Sequence, residues 1–286
     1  MFEILEKERL GPGVNRAVIS APEIASAHRP GQFIILRTHS EGERIPLTVA
    51  DKDVEKGTIT LVWQEVGSTT YYMSTMCVGE KFQDICGPLG KPTHLEKFGT
   101  VVGIGGGIGV APLYPITKGM HDAGNHVISI VGARTKGLLI MTEDIGKVSD
   151  ELIISTDDGS FGVHGFVTQV LQGLIDKGTQ IDLVVAIGPV PMMKAVVGVS
   201  RKANLPTVVS LNPIMVDGTG MCGACRVEVA GKTMFGCVDG PEFDGLQVDF
   251  DLLMKRLAMY KGPELIALNN FRETARGCQC TFPGGS

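Results

Sequence analysis

The rhythm of hydrophobic and polar positions along this 286-residue chain changes twice. Up to about residue 96, short apolar runs of strand composition, such as Gln32–Arg37 and Thr58–Trp63, are separated by Gly, Pro and Asp-Lys turn signals. Short, evenly spaced strands of this kind predict a small antiparallel barrel, with a short helix around Thr70–Met76. From about 97 to 212 fully apolar runs alternate with helical stretches. The runs are Thr100–Ile104, His126–Val131, Glu151–Ser155, Leu183–Ile187 and Thr207–Leu211. That alternation predicts a parallel sheet with helices on both faces. From Asn212 onward a Gly- and Cys-rich loop leads into a hairpin-like run, Cys225–Val229 and Thr233–Val238. Residues from Asp249 to about Tyr260 read as helix. The expected organisation is a β-barrel domain over 1–96, an α/β parallel-sheet domain over 97–212, and a small C-terminal module with a tail over 213–286.

Composition narrows the class. The hydrophobic fraction of 43% and charged fraction of 20% suit a globular chain with a sizeable core. The net charge of -5, without a Lys/Arg block, excludes the electrostatic footprint of a nucleic-acid binder. The uncharged stretch Phe98–Thr117 has the length of a membrane span, but its six Gly and two Pro read as strand, glycine turn and helix start. No membrane association is expected. The N-terminus carries both charge signs and no apolar core, so no secretory signal is read there and a cytoplasmic location is expected. The seven cysteines are then expected to be reduced, metal-bound or redox-active rather than disulfide-bonded.

Three of those cysteines form the sharpest signal: Asp217, then Cys222, Cys225 and the more distant Cys237. Plant-type [2Fe–2S] proteins space their ligands C-x4-C-x2-C with a distant fourth Cys. Here Asp217 holds the first position. Gly218, Gly220 and Gly223 let the loop wrap closely and aim backbone N–H groups at sulfur. A structural zinc site on the same four residues, or two core cysteines in a glycine loop, are the plainer alternatives.

Val101–Pro112 joins a strand to a helix through Gly105, Gly106, Gly107, Ile108 and Gly109, where backbone N–H groups and the helix N-terminus can hold a pyrophosphate. Its spacing departs from the usual dinucleotide fingerprint. Gly188, Pro189 and Met192 follow another apolar strand, at the sheet edge where ligands bind. After a third strand, Asp157 or Asp158 is placed to accept from a ribose hydroxyl and to repel a 2′-phosphate, which favours NADH over NADPH. Ordinary turn chemistry explains the same Asp-Asp-Gly-Ser run. In the barrel, Arg44 offers a planar donor fork to a flavin pyrophosphate, with Pro46, Leu47 and Thr48 behind it. Gly67, Ser68 and Thr69 add a glycine turn with hydroxyls. Each also reads as a plain β-turn. Their order ahead of the nucleotide domain favours the flavin.

Taken together, GQF, R-x-P-L-T, VGSTT, GPLG, GIGGGIGVAPL, GAR-T, TDDGS, GPVPMMKA and the cluster loop ending CVDGPEF resemble the ferredoxin-reductase-like superfamily over about residues 1–245. The closest likeness is to the electron-transfer subunit of dihydroorotate dehydrogenase. The Asp-plus-three-Cys pattern looks like the small subunit of NADH-dependent reduced ferredoxin:NADP oxidoreductase, also called sulfide dehydrogenase. The resemblance implies FAD in the barrel, NAD(H) on the α/β domain, and a [2Fe–2S] cluster facing a larger flavin/iron–sulfur partner in a heterodimer. Ferredoxin is reached only indirectly, and electron bifurcation is part of the implied activity. Ile187 stands where many relatives carry a Cys near the nicotinamide, so that role does not transfer. Three other readings remain: the dihydroorotate dehydrogenase subunit itself, a stand-alone NADH:acceptor reductase, and a non-catalytic cluster-bearing sensor. No catalytic acid–base pair is expected, and the six histidines read as surface or turn residues. Cys77 and Cys86 read as packing residues. Cys278 and Cys280 are too close in sequence for an ordinary disulfide and read, with the final Pro-Gly-Gly-Ser, as an exposed tail.

Overall fold

The computed structural model describes residues 2–274, so Cys278, Cys280 and the final tail lie outside the described residues. The N-terminal strands are β1 (Phe2–Gly11), β2 (Val14–Ser20), β3 (Phe33–Arg37), β4 (Arg44–Asp53), β5 (Thr58–Gln64), β6 (Lys81–Phe82) and β7 (Asp84–Leu89). They form one antiparallel sheet in the order β6-β1-β2-β5-β4-β3-β7. Only Gln83 separates β6 from β7, so one short run of chain joins the two edges and nearly closes the barrel. Alternate residues point inward. Ile4, Ile19, Ile34, Leu36, Ile59, Leu61 and Trp63 fill the interior. Helix α1 (Pro22–Ala27) and helix α2 (Ser68–Thr75) cover it. The indole N–H of the buried Trp63 donates to Thr70 O of α2 at 3.2 Å, which satisfies its polar edge.

The second sheet contains β8 (Thr100–Gly106), β9 (His126–Ala133), β10 (Glu151–Thr156), β11 (Val163–His164), β12 (Leu183–Ile187) and β13 (Thr207–Ser210), all parallel. One face packs on α3 (Val110–Asp122) and α4 (Thr142–Lys147), through Val101, Leu113, Ile116 and Ile145. The other packs on α5 (Val167–Asp176) and α6 (Val190–Lys202), through Ile104, Leu171, Met193 and Val196. Burial on both faces explains why its central strands are apolar throughout.

The chain then forms a hairpin, β14 (Arg226–Val229) and β15 (Lys232–Phe235), and a last strand, β16 (Glu242–Asp244). β16 adds to the parallel sheet as an antiparallel edge beside β13. Two helices follow, α7 (Phe250–Ala258) and α8 (Lys261–Thr274). Val227, Val229, Phe243, Phe250 and Leu253 share one hydrophobic core with α5 and α6.

α7 matches the helix expected from Asp249 to about Tyr260, and α8, which follows it, has no counterpart in the sequence reading. Two expectations need correction. His28 is buried, 3% exposed, because it follows α1 against the barrel, and its ring has no hydrogen-bond partner among the described residues. Burial lowers its pKa to about 4. Cys86 is exposed and Cys77 partly so, hence neither is a core residue.

Candidate functional site

A cavity of about 350 Å³ opens between the barrel and the parallel sheet. Four segments meet there. β4 contributes Pro46, Leu47 and Thr48, and the turn into α3 contributes Ile108, Gly109 and Pro112. The end of β12 contributes Ile187, Gly188 and Pro189, and the stretch after β13 contributes Leu211, Pro213 and Met215. These last residues, with Phe33, Val62 and Pro241, were not anticipated. The signal for Leu211–Met215 was available, since they follow a parallel strand at its carboxyl end, where such sheets bind ligands. The volume, the mostly apolar walls and the few polar groups of Thr48, Ser210 and Asn212 fit a planar aromatic ring system such as isoalloxazine.

The glycines beside this cavity are required by close approach. Gly109 lies against Ile187 O and Gly188, and a Cβ there would meet Gly188 Cα at 2.7 Å. A Cβ at Gly106 would run into Met192 Sδ, so Met192 packs across Gly106 and Gly188. Gly107 adopts φ +54°, which favours glycine. No side chain caps the N-terminus of α3; the Val110 N–H already donates to Gly107 O and Pro112 has no N–H, so this end offers an anion the helix dipole rather than a row of free amides.

The residues expected to hold the flavin phosphates sit at the barrel rim. Arg44 is exposed at the start of β4. Gly67 N-caps α2, whose first turn holds Ser68 and Thr69. Thr70 Oγ1 accepts from Val66 N at 2.9 Å and Gly67 N at 3.0 Å, which fixes this turn. Thr69 donates to Glu43 Oε2 at 3.2 Å. A second cavity, about 950 Å³, shares Pro46, Pro213 and Met215 with the first and extends past Arg44 to Cys222 and α8. Asp157 and Asp158 lie exposed after β10 and line neither cavity. Ser160 donates to Asp158 Oδ1 through its hydroxyl at 2.6 Å and its N–H at 3.0 Å, and these bonds hold the Asp158 carboxyl below the usual range.

In the cysteine loop, Gly218, Gly220 and Gly223 all have positive φ, and Gly218 nests against Leu89 and Ile35 of the barrel. Cys225 and Cys237 are buried with their sulfurs 3.2 Å apart. Cys222 is exposed. Burial, then the neighbouring Cys225, pushes the Cys237 thiol up to about 12, so this thiol ionises only beside a cation. The Asp217 carboxylate accepts from Thr219 N and Cys222 N, each at 2.8 Å; the Thr219 bond is the main reason its pKa is lowered. It is an anion that retains lone pairs for a metal. No three His, Cys, Asp or Glu side chains among the described residues gather tightly enough to hold a single metal ion. A two-iron cluster divides its ligands between two metals, and three thiols with one carboxylate fit that demand.

Comparison with known proteins gives the family. Residues 212–249 match the iron–sulfur cluster binding domain of dihydroorotate dehydrogenase B. The chain is 47% identical to the dihydroorotate dehydrogenase B (NAD(+)) electron transfer subunit homolog of Thermotoga maritima, over 96% of both chains. It is 32% identical to the corresponding subunit of Geobacillus thermodenitrificans, over 79% of this chain and 88% of that one. A solved structure of an NADH-dependent reduced ferredoxin-NADP oxidoreductase, described for its insights into flavin-based electron bifurcation, superposes with a TM-score of 0.91. It is 46% identical, over 95% of this chain and 98% of that one. An Amycolatopsis cytochrome P450 reductase, 21% identical with a TM-score of 0.58, shares the fold over 70% of this chain and 65% of that one. The protein therefore belongs to the family of dihydroorotate dehydrogenase B electron-transfer subunits and their homologues. These are oxidoreductase subunits with a ferredoxin-reductase-like FAD- and NAD-binding fold and an iron–sulfur domain.

Proposed function

We propose that this chain is an electron-transfer flavoprotein subunit of a flavin-based electron-bifurcating NADH-dependent ferredoxin:NADP oxidoreductase. It moves electrons between NAD(H), FAD and a [2Fe–2S] cluster, and to or from a larger flavin/iron–sulfur subunit that deals with ferredoxin. The observation that carries this reading is a shared wall. Phe33 and Met215 line the first cavity, and the same two side chains pack in one apolar cluster with Cys225 and Cys237. One layer of side chains thus separates the proposed flavin site from the proposed cluster. The 46% identity to the bifurcating enzyme and the Asp217 in place of a fourth Cys favour this family branch.

FAD, when bound, supplies the exchange between a two-electron hydride and single electrons. The work of the chain is positioning. Arg44 and the first-turn amides of α2, at Ser68 and Thr69, hold phosphate. Thr48 donates to the ring, and Pro46 and Leu47 pack beside it. Gly105, Gly106, Gly107, Ile108 and Gly109 let the dinucleotide backbone approach, while Pro112, Gly188, Pro189 and Met192 shape the nicotinamide side. Asp157 accepts from ribose; the bonds from Ser160 commit Asp158 to its own turn. Asp217, Cys222, Cys225 and Cys237 hold the cluster. Around that loop Met221 is 88% exposed and Val216 and Val238 are also exposed, an apolar rim suited to a partner surface.

Anaerobic titration with NADH tests the relay. Bleaching of a flavin band with a [2Fe–2S] paramagnetic signal is expected; a missing flavin band, or a cluster that NADH never reduces, overturns it. Co-purification with a larger NADP- and ferredoxin-linked flavoprotein supports the assignment. An orotate-forming partner instead returns it to the dihydroorotate dehydrogenase reading.

A further inference from the structure

The first cavity has no charged side chain in its walls, and its polar side chains are Thr48, Ser210 and Asn212. Thr48 comes from the barrel. Ser210 ends β13 and Asn212 follows it, so both belong to the parallel-sheet half. None of the three side chains makes a hydrogen bond among the described residues. Polar groups that face an apolar cavity without a protein partner are free to fix the orientation of a ligand.

The strand period accounts for their placement. Val209 and Leu211 turn into the core that covers α6, and Val208 turns into the core that covers α3. Ser210 and Asn212 share the face of Val208. The backbone here is held on both sides. Ser210 pairs with Glu242 of β16, and the Leu211 N–H donates to Pro241 O at 2.9 Å. Pro213 then disfavours helical backbone at Asn212. β12 lies beside β13, with Ala186 opposite Val209, so the Ile187–Gly188 end of β12 stands next to Ser210. The wall that carries Asn212 is thus the wall read above as the nicotinamide side.

We propose that Asn212 is the specificity residue for the nicotinamide carboxamide, its side-chain amide pairing with that group and fixing how the ring is presented to the flavin. This rests on the dinucleotide and flavin reading above and adds to it the residue that reads the reacting ring. An Asn side chain offers a carbonyl acceptor and an NH2 donor, and a carboxamide offers the complementary pair. Two hydrogen bonds in one plane stop the ring turning over, and hydride transfer depends on that orientation. The flavin ring also has an amide-like edge, but Thr48 faces the cavity from the barrel, where the flavin is read. The absence of charge has a consequence too. A carboxylate at this place would favour the cationic oxidised ring over the neutral reduced one. A neutral amide holds both, which suits electron flow in either direction.

Isothermal titration of the flavin-loaded full chain with NAD+ and, separately, with 3-acetylpyridine adenine dinucleotide tests this at equilibrium, without turnover. The analogue carries a methyl group where the carboxamide carries its NH2. The unmodified chain is expected to bind NAD+ about tenfold more tightly, because the analogue leaves the Asn212 carbonyl without its donor. Asn212→Leu, similar in volume and without polar atoms, should bring the two affinities within about twofold of each other. Asn212→Asp keeps the acceptor, and its charge strengthens both cationic nucleotides alike, so the preference for NAD+ should return. Asn212 is exposed and its side chain bonds to nothing else in the described residues, so both variants are expected to fold. Equal affinities in the unmodified chain, or a preference that survives Asn212→Leu, overturn the inference and leave the dinucleotide reading in place. Shifted flavin absorption bands in Asn212→Leu with the preference unchanged assign the side chain to the flavin ring instead. Binding of neither nucleotide removes the dinucleotide reading and the inference with it.

Discussion

At the scale of single residues, two carboxylates with contrasting surroundings make testable claims. Asp157 follows β10 without a bond to its side chain comparable to the Ser160 bonds on Asp158. A negative charge near a ribose 2′ position discriminates against the extra phosphate of NADPH. Asp157→Asn should narrow the NADH:NADPH ratio of kcat/KM by about tenfold, with the gain on the NADPH side. Steady-state rates with each nucleotide and an artificial acceptor decide it. If Asp158→Asn does this and Asp157→Asn does not, the roles are exchanged. Glu242 is the opposite case. Its carboxyl is buried against Thr93, whose hydroxyl lies 2.6 Å away, and burial raises its pKa from 4.5 to about 7. The folded chain then holds this proton more tightly than the unfolded chain, so stability declines as pH rises from about 4.5 to 7 and stays reduced above that. Glu242→Gln should remove the slope and stabilise the protein at pH 8 by up to about 3 kcal/mol, with little effect at pH 4.5. Thermal melts at both pH values would show it; a melting gain equal at the two would assign the effect to packing.

Local chemistry was readable at this scale because it is written in consecutive residues. Cys222 and Cys225 with their glycines, or Gly105 to Gly109, carry their pattern within one turn of chain. The walls are different. Phe33, Met215 and Pro241 come from three distant segments, and each reads in sequence as an ordinary apolar or turn residue. Only the docking of β3, the stretch after β13 and the loop before β16 brings them to one cavity.

At the scale of elements, α2 shows how a short helix is held for a task. Its N-terminus is the proposed phosphate site, and its C-terminus is held by Lys7. The Lys7 ammonium donates to Met73 O at 3.1 Å, Ser74 O at 2.8 Å and Met76 O at 2.5 Å, which places a cation at the negative, C-terminal end of the helix. Asn15 and Trp63 both bond Ser74 Oγ from neighbouring strands. Lys7→Met keeps the aliphatic stem and removes the donors. It should destabilise the barrel by about 1–2 kcal/mol and reduce bound flavin in the purified protein. Unchanged flavin content with a lower melting temperature would confine Lys7 to stability. The sequence placed this helix two residues late, because its cap is a glycine with a Thr hydroxyl three residues on rather than a conventional side-chain cap. α8 begins across a Gly-Pro pair: Gly262 and Pro263 both fall in its first turn, where Pro is tolerated because its N–H would have had no helical partner.

At the scale of the whole molecule, the question is whether the cysteine-bearing part is an attachment or a continuation of the nucleotide-binding half. The periodicity of the sequence marks a change of texture at Asn212, and three parts follow from it. The packing runs across that boundary. β16 extends the parallel sheet by pairing with β13, Val229 bridges to Val248, and Phe243, Phe250 and Leu253 complete the core that covers α6. A sequence cannot reveal this, since a three-residue edge strand such as Glu242–Asp244 has no length over which a period could register. The arrangement has a use in the proposed relay. A cluster whose supporting hairpin shares a core with the dinucleotide sheet keeps its distance from the flavin cavity fixed. Stability should then be shared as well. Leu253, 1% exposed on α7, lies beyond the matched iron–sulfur segment, yet Leu253→Ala should lower the stability of the parallel-sheet half by about 3 kcal/mol. Hydrogen exchange reads this directly. Amides of β12 and β13 should exchange faster in the variant in step with those of the β14–β15 hairpin, as one cooperative unit requires. Protection retained in β12 while the hairpin opens would make the cluster-bearing part a separate unit, and its distance from the flavin cavity would then depend on how the two are docked.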